Sequence, residues 1–293
     1  MENKSKKELI IAGILSSLII GTALPSHAQG NSVPAAARQA QGTQAASREV
    51  RGSEAIGMQV KNSKGEKLGK VEDLVVDIGS ERVHYALLSF GGFLGVGDKL
   101  FLFPVSAFRP GRETDELVAD IDKEQLKKMQ GFDPARRPNF KGDNWRRDVD
   151  RYFRIAPDRQ AQKDARMAGV ASLRGVNVND RAGHRAGEIS DVVVNFGTGR
   201  AYPVLTRDGD GKLVALPFSA LMFPERPDLP ALLTVDNQQL ASAKAFEKSK
   251  WPDLNAPNHE RETAAQLLSF QTQSKTNPAA ARTGREAADT SGK

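Results

Sequence analysis

The feature of this sequence that most constrains its fold is an internal duplication. The segment GMQVKNSKGEKLGKVEDLVVDIGSERVHYALL (57–88) aligns without gaps with GVNVNDRAGHRAGEISDVVVNFGTGRAYPVLT (175–206), at a spacing of 118 residues. After a five-residue deletion, the match resumes between KLFLFPVSA (99–107) and KLVALPFSA (212–220). Two copies of this length predict a duplicated domain, because a solenoid needs more and shorter units.

Each copy shows the pattern of a small β-domain. Around Asp73 in the first copy and Asp191 in the second, apolar and polar residues alternate with one irregular step, which predicts a strand with a β-bulge. Pro104 and Pro217 end later strands, because proline has no N–H to donate to a sheet. About five or six short strands with glycine turns predict a small barrel, and a D-x-x-Q capping pattern predicts a short closing helix.

The N-terminal residues have the layout of an export signal. Lysines at positions 4, 6 and 7 precede the apolar run LIIAGILSSLIIGTAL (9–24), and Ser26-His27-Ala28 fits a small-x-small cleavage site. We therefore predict a signal peptide over residues 1–28 and a periplasmic or secreted mature protein. The alternative is that the segment stays uncleaved and anchors the chain in the inner membrane.

Composition divides the rest of the chain. Residues 29–53 and 251–293 are polar and poor in apolar periodicity, which predicts a disordered lead-in and a mostly disordered tail. The duplicated domains then occupy residues 54–132 and 170–250. Residues 133–169 form a basic linker that is predicted to be helical.

The linker contains one amphipathic segment. An apolar face recurs there at helical spacing, with arginines around it, and consists of Trp145, Val149, Tyr152 and Phe153. One interpretation is that this helix docks its apolar face on a barrel and fixes the relative orientation of the two barrels. The other is that it binds a protein partner or a membrane surface. The second interpretation gives four candidate interaction residues: Trp145, Arg146, Arg147 and Arg151.

The first copy contains a glycine-rich stretch, SFGGFLGVGDKLFLFP (89–104), which the second copy has shortened. Neither a P-loop nor a dinucleotide-binding motif fits it, because the residues after its last glycine alternate like a strand and both motifs need a helix there. The stretch therefore predicts a long β-hairpin connection. Its apolar residues Phe93, Leu94 and Val96 either fold back on a barrel or contact a partner.

The sequence offers little for catalysis or cofactor binding. It has no cysteine, which excludes thiol catalysis, thiolate metal sites and disulfides. The histidines at positions 84, 184 and 259 lack metal-ligand spacing, so we predict no catalytic residue, metal or cofactor. The formal net charge of +6 is modest, and an exported chain meets little nucleic acid, so no nucleic-acid partner is expected.

The order of these motifs resembles the PRC-barrel domain. In the first copy the resemblance rests on Gly69, Asp73, the loop GGFLG (91–95) and the strand end PVSA (104–107). The second copy lacks the loop but keeps Gly187, Asp191 and Pro217. This family includes the cytoplasmic domain of the photosynthetic reaction centre H subunit and the C-terminal domain of a ribosome maturation factor. The resemblance implies a mainly β chain with two small PRC-type barrels in tandem, each ending in a short helix.

The resemblance also bears on function. In this family the barrel is typically a protein-interaction or scaffold module without a shared catalytic site, which implies a non-enzymatic adaptor with unidentified protein partners. A second hypothesis is an envelope-associated protein that binds anionic lipid or polysaccharide through the basic segment 136–166. A third is a hydrolase or small-molecule-binding enzyme, which needs a polar pocket.

Overall fold

The computed structural model describes residues 48–90, 99–129, 131–137, 140, 144–154, 166–226 and 228–276. These residues are mainly β and form two curled sheets, one for each copy, which confirms the predicted fold class. The predicted signal segment 1–28 and the loop residues Phe93, Leu94 and Val96 lie outside the described residues. Within the described part, no helix is long and apolar enough to cross a membrane.

The first copy begins with a short strand and a single helical turn and then forms its sheet. Its elements are β1 (Glu49–Arg51), α1 (Gly52–Ala55), β2 (Gln59–Lys61), β3 (Lys67–Asp77), β4 (Arg82–Phe90), β5 (Lys99–Pro104), β6 (Phe108–Pro110), β7 (Glu116–Ala119) and α2 (Lys123–Lys128). The linker helix α3 (Asn144–Phe153) follows. The strand order is β5-β4-β3-β2-β7-β6, in which β2 and β7 are parallel.

The second copy repeats this arrangement. Its elements are β8 (Met167–Gly169), α4 (Val170–Leu173), β9 (Asn177–Asn179), β10 (Arg185–Asn195), β11 (Ala201–Arg207), β12 (Leu213–Ala215), β13 (Leu221–Met222), β14 (Ala231–Leu233), α5 (Asn237–Ser242), β15 (Ala245–Phe246) and α6 (His259–Thr276). The strand order is β13-β14-β9-β10-β11-β12-β15. Pro104 and Pro217 each stand directly before a 3-10 turn. The predicted capping box of the closing helix is confirmed at Asp236 and Gln239.

Large apolar side chains fill the inside of both curled sheets. Phe103 and Leu126 in the first copy, and Phe218 and Leu216 in the second, are at most 1% exposed. All four belong to one continuous apolar cluster that runs through both copies. Because burial of apolar surface is the main favourable term in folding, the shared cluster ties the stability of each sheet to the other.

The two copies exchange their first strands. Strand β1 precedes the first copy in sequence but pairs antiparallel with β10 of the second, with Val50 opposite Val194. Strand β8 precedes the second copy but pairs antiparallel with β3 of the first, with Ala168 opposite Val76. The two exchanges occupy equivalent positions, so the tandem barrels have a pseudo-twofold relation. The exchange, which no local pattern of the sequence indicates, fixes the barrels to one another.

The exchange corrects the predicted domain boundaries. Residues 48–53 were assigned to a disordered lead-in, but Glu49–Arg51 form a strand and Gly52 opens a helical turn. Likewise, strand Met167–Gly169 lies in residues assigned to the linker. Each of these strands has its hydrogen-bonding partner in the other copy, so the local sequence contains no sign of pairing.

The linker helix α3 packs on the outer face of the first sheet. Trp145 and Val149 are buried there with Tyr85, and the Phe153 ring lies 5.2 Å from the ring of Phe103. The docking of this helix on a barrel, one part of the first interpretation, therefore matches the structure. Tyr152, which was placed on the same apolar face, is instead 44% exposed.

The C-terminal helix α6 corrects the predicted tail. Residues 251–293 were expected to be mostly disordered, but His259–Thr276 form a helix of 18 residues. Leu267 is buried against the outer face of the second sheet, and the Gln266 side-chain amide donates to the Ala215 carbonyl at 2.9 Å. This helix covers the second barrel as α3 covers the first. Its polar, Gln- and Ser-rich sequence shows little amphipathic periodicity, so the sequence did not indicate a helix here. Tertiary packing stabilises this helix more than its local sequence does.

The register of the strands also corrects the gapless alignment. Tyr85 faces Val75 across β3 and β4, and Tyr202 faces Val193 across β10 and β11. The register shift between Val75 and Val76 makes His84 an extra residue in β4. From Tyr85 onward, equivalent residues of the two copies are therefore one residue closer together in sequence than they are before His84. Tyr85 and Tyr202 thus occupy equivalent positions.

Candidate interaction surface

The two repeated aspartates hold the exchanged segments in place. Asp191 follows the bulge of β10, and its Oδ1 accepts a hydrogen bond from the Ser53 backbone N–H at 3.0 Å. The Ser53 hydroxyl donates to the other carboxylate oxygen. Asp73 follows the equivalent bulge of β3 and accepts from the Ala171 backbone N–H at 3.0 Å. Each barrel thus uses one aspartate to cap the first helical turn of the other copy.

A second contact joins the barrels at their hairpin turns. The Val83 N–H donates to the Gly199 carbonyl at 2.8 Å, and the Ala201 N–H donates to the Glu81 carbonyl at 2.9 Å. These two bonds are equivalent under the pseudo-twofold relation. Together with the exchanged strands, they give the two barrels backbone hydrogen bonds at several separate places, so hinge motion between them requires breaking these bonds.

Two repeated glycines allow neighbouring strands to approach closely. A Cβ atom on Gly69 would lie 2.0 Å from the Ser89 carbonyl oxygen, and one on Gly187 would lie 2.2 Å from that of Thr206. Real Cβ atoms do not approach a backbone oxygen so closely, so only glycine fits either position.

The candidate interaction residues on α3 divide into two pairs. Trp145 and Arg146 are each 7% exposed, so a partner cannot reach them without moving the helix. Arg147 and Arg151 are exposed, one helical turn apart and close in sequence to the exposed Tyr152. We call these three residues the outer face of α3. Arginine and tyrosine are the residue types most enriched at interface hot spots.

A buried hydrogen bond anchors α3 below its outer face. The Tyr85 hydroxyl donates to Asp150 Oδ1 at 2.5 Å, and the Tyr85 ring meets the Trp145 ring edge-on at 5.1 Å. Burial, with help from the Asp150 carboxylate, raises the pKa of Tyr85 well above its usual value of 10.0. The hydroxyl therefore stays protonated and able to donate over the whole physiological pH range.

The equivalent tyrosine of the second barrel belongs to a cluster of titratable groups. The Tyr202 hydroxyl donates to Glu49 Oε2 at 3.0 Å, and His259 Nε2 lies 3.6 Å from the same oxygen. Thr263 Oγ1 lies 3.3 Å from that histidine nitrogen. Burial raises the pKa of Glu49 and lowers the pKa of His259. Burial of ionisable groups disfavours their charged forms, which explains both directions.

This cluster does not have the geometry of a catalytic triad. In a triad the histidine contacts the nucleophile with one ring nitrogen and the carboxylate with the other, whereas here Thr263 and Glu49 both face Nε2 of His259. The apolar cleft beside the cluster has a volume of about 80 Å³. That is below the ~150 Å³ of a cavity that admits benzene. The cluster therefore serves to attach β1 and α6 to the second barrel.

The raised pKa of Glu49 predicts a pH effect on stability. The folded protein retains a proton on Glu49 that the unfolded chain releases as the pH rises past 4.5, so folding stability from this group is lost with rising pH. Glu49→Gln mimics the protonated form, and we expect its stability relative to the wild type to increase as the pH rises through this window. Urea unfolding at a series of pH values measures the difference.

The control for this pH series is Glu247→Gln. Glu247 is 61% exposed and pairs with Lys212 at 3.5 Å, so its replacement removes a carboxylate from the surface of the second barrel without disturbing the buried cluster. If the stability difference between Glu49→Gln and the wild type stayed constant or fell with rising pH, burial would not be the main influence on the pKa of Glu49.

An exposed apolar patch that was not among the predicted contact surfaces lies on the second barrel. Met222 and Leu232 face each other across β13 and β14 at the edge of the second sheet, and they are 40% and 37% exposed. Leu229, in the connection between the two strands, is 44% exposed. The equivalent pair in the first barrel is Arg109 and Val118. A position-by-position comparison of the two copies would have revealed this patch, because Met222 stands where the first copy has Arg109.

Comparison with known families agrees with this architecture. The PRC-barrel domain family matches residues 47–126 and 166–227. These two segments are PRC-barrel domains. Each match includes the exchanged strand at its start, so β1 and β8 belong to the PRC-barrel unit of their own copy although they pair with the other. No curated protein matches the chain. The PRC-barrel family is not a known class of enzymes and is consistent with a protein-interaction module.

Proposed function

We propose that this chain is a non-enzymatic, exported scaffold in which the two PRC-barrel domains act as one rigid platform for protein partners. The observation that carries this proposal is the reciprocal exchange of β1 and β8, with the aspartate caps that hold it. A platform with fixed geometry loses little conformational entropy when it binds, so it can position two partner segments at a set distance.

The filled barrels support a role in recognition. Their interiors hold Phe103 and Phe218, so they leave no room for a substrate between the strands. In the described part of the chain, no three His, Asp or Glu side chains gather as metal ligands would. Recognition would then occur on the outside, where the outer face of α3 and the loop containing Phe93 and Leu94 are the candidate contacts.

Affinity capture from periplasmic and envelope fractions tests the proposal. The bait is the full mature chain, compared with Arg147→Glu/Arg151→Glu on α3 and with Phe93→Ser/Leu94→Ser in the loop. We expect the wild type to enrich a defined protein partner after crosslinking, and at least one of the two variants to lose it.

The matched control is Lys248→Glu/Lys250→Glu, which reverses two exposed charges after the second barrel. It should retain the partner. The proposal would be wrong if the wild type enriched nothing above the empty matrix. The contact assignment would be wrong if both test variants captured the same proteins as the wild type.

A further inference from the structure

The basic charge of this chain is unevenly distributed. In the linker, Arg136 lies 3.7 Å from Asp133 and Arg151 lies 3.3 Å from Asp148, so acidic neighbours partly neutralise it. A groove of about 670 Å³ on the first barrel is lined by more cations than carboxylates among its described residues. We call it the basic groove; the residues that matter here are Lys67, Lys70, Glu72, Ser89, Lys123 and Arg137.

The strand register builds the floor of the basic groove. Lys70 on β3 lies opposite Ser89 on β4, and Ser89 lies opposite Leu100 on β5. Leu100 in turn exchanges two backbone hydrogen bonds with Phe132, at 2.9 and 2.7 Å. This last pairing lays the segment that follows α2 along the sheet and brings Arg137 to the groove.

Glu72 fixes the cations at the centre of the groove. One of its carboxylate oxygens accepts from the Ser89 hydroxyl at 2.7 Å and lies 3.3 Å from Lys70 Nζ, and the other lies 3.6 Å from the Arg137 guanidinium. Burial alone would raise the pKa of Glu72, but the serine and the two cations lower it. Glu72 is therefore ionised near neutral pH and positions both cations.

The charges of the groove do not balance. Among its described lining residues, the cations Lys67, Lys70 and Arg137 outnumber the carboxylate of Glu72. Lys70 and Arg137 remain 55% and 51% exposed, and each has N–H donors beyond the one directed at Glu72. A concave surface with excess positive charge attracts anions and concentrates them locally.

The second barrel provides an internal comparison. Its equivalent positions have Arg185 for Lys67, Glu188 for Lys70 and Asn237 for Lys123. Arg185 there lies 3.3 Å from Glu188 and 3.7 Å from Asp208. The same fold thus exists with and without the excess of cations, so the PRC-barrel architecture does not require it.

We propose that the basic groove binds a phosphate-bearing ligand. A phosphate group carries at least one negative charge near neutral pH and several acceptor oxygens, which suit lysine point charges and an arginine fork. This binding role goes beyond the scaffold function. It also uses a different surface from the arginines of α3.

Titration of the full mature chain at low ionic strength tests the groove. Inorganic pyrophosphate is the soluble probe, and vesicles of phosphatidylcholine with and without phosphatidylglycerol are the lipid probe. Lys67→Gln/Arg137→Gln should weaken binding about fivefold for each charge removed, about 25-fold in total. Added salt should weaken the wild-type interaction because it screens exposed charges.

The matched control is Arg185→Gln/Arg226→Gln, which removes two exposed arginine charges from the second barrel. It should leave binding unchanged. Pyrophosphate binding that the groove variant loses supports a soluble phosphate ligand, and loss confined to phosphatidylglycerol vesicles supports a lipid headgroup. The proposal is overturned if neither probe binds the wild type, or if the control variant loses as much affinity as the groove variant.

Discussion

Replacement of Gly69 by Ala is expected to destabilise the protein by about 3 kcal/mol, because the new Cβ has no space in the first sheet. The Cβ would lie 2.0 Å from the Ser89 carbonyl oxygen and 3.0 Å from its carbonyl carbon. Both are backbone atoms, so relief requires β3 and β4 to separate and not merely a side chain to rotate. Urea unfolding monitored by circular dichroism measures the loss.

Gly209→Ala is the control for this steric cost. Gly209 has a φ of +91°, but no atom of the described residues lies within 4 Å of the point that its Cβ would occupy. Alanine there meets only left-handed backbone strain, which costs about 1 kcal/mol. Equal losses at the two positions would mean that the sheet adapts to a side chain at Gly69 and that the close strand approach is not required.

Asp191→Ala is expected to destabilise the protein by about 3 kcal/mol, since the change leaves one buried and two half-buried donors without an acceptor. The lost bonds are those from the N–H groups of Ser53 and Val192 and from the Ser53 hydroxyl. Ser53 belongs to the first copy, so the effect should cross between barrels. Hydrogen exchange should show reduced protection of Ile56, whose N–H bonds to Gly52 in the turn that Asp191 caps.

Asp228→Ala serves as the control for the loss of an aspartate. Asp228 is 60% exposed, and its partner among the described residues is the nearby Arg226. Its replacement should change stability by no more than about 0.5 kcal/mol. Unchanged protection at Ile56 in Asp191→Ala would show that the cap does not hold the exchanged turn.

The sequence predicted the secondary structure within each copy. Alternation around Asp73 and Asp191 indicated strands with a bulge, and the two bulges lie beside those residues. Local periodicity determines such features, because it decides which face of a strand is buried. The apolar face with Trp145 and Val149 gave docking of the linker helix as one of two interpretations, for the same reason.

The sequence did not predict the contacts between the two copies. Strands β1 and β8 are three residues each, and their partners lie far away in sequence, in the other copy. Periodicity cannot appear in so short a segment. Each of the two repeated aspartates also accepts a hydrogen bond from the other copy, which the alternation around it could not indicate. The basic groove was missed because its cations come from β3, α2 and the linker, which only the folded sheet brings together.

The central claim, that the two PRC-barrel domains form one cooperative unit, can be tested with the two tryptophans. Trp145 packs on the first barrel and Trp251 lies beside the second. Trp251→Phe leaves Trp145 as the fluorescent reporter of the first barrel, and Trp145→Phe leaves Trp251 as the reporter of the second.

Leu205→Ala, a change in the core of the second barrel, is then added to each single-tryptophan protein, and urea unfolding is followed by fluorescence. A buried leucine truncation should cost about 2–5 kcal/mol. If the barrels unfold as one unit, the Trp145 transition will shift to lower urea by as much as the Trp251 transition. A Trp145 transition that does not move while the Trp251 transition does would contradict the account.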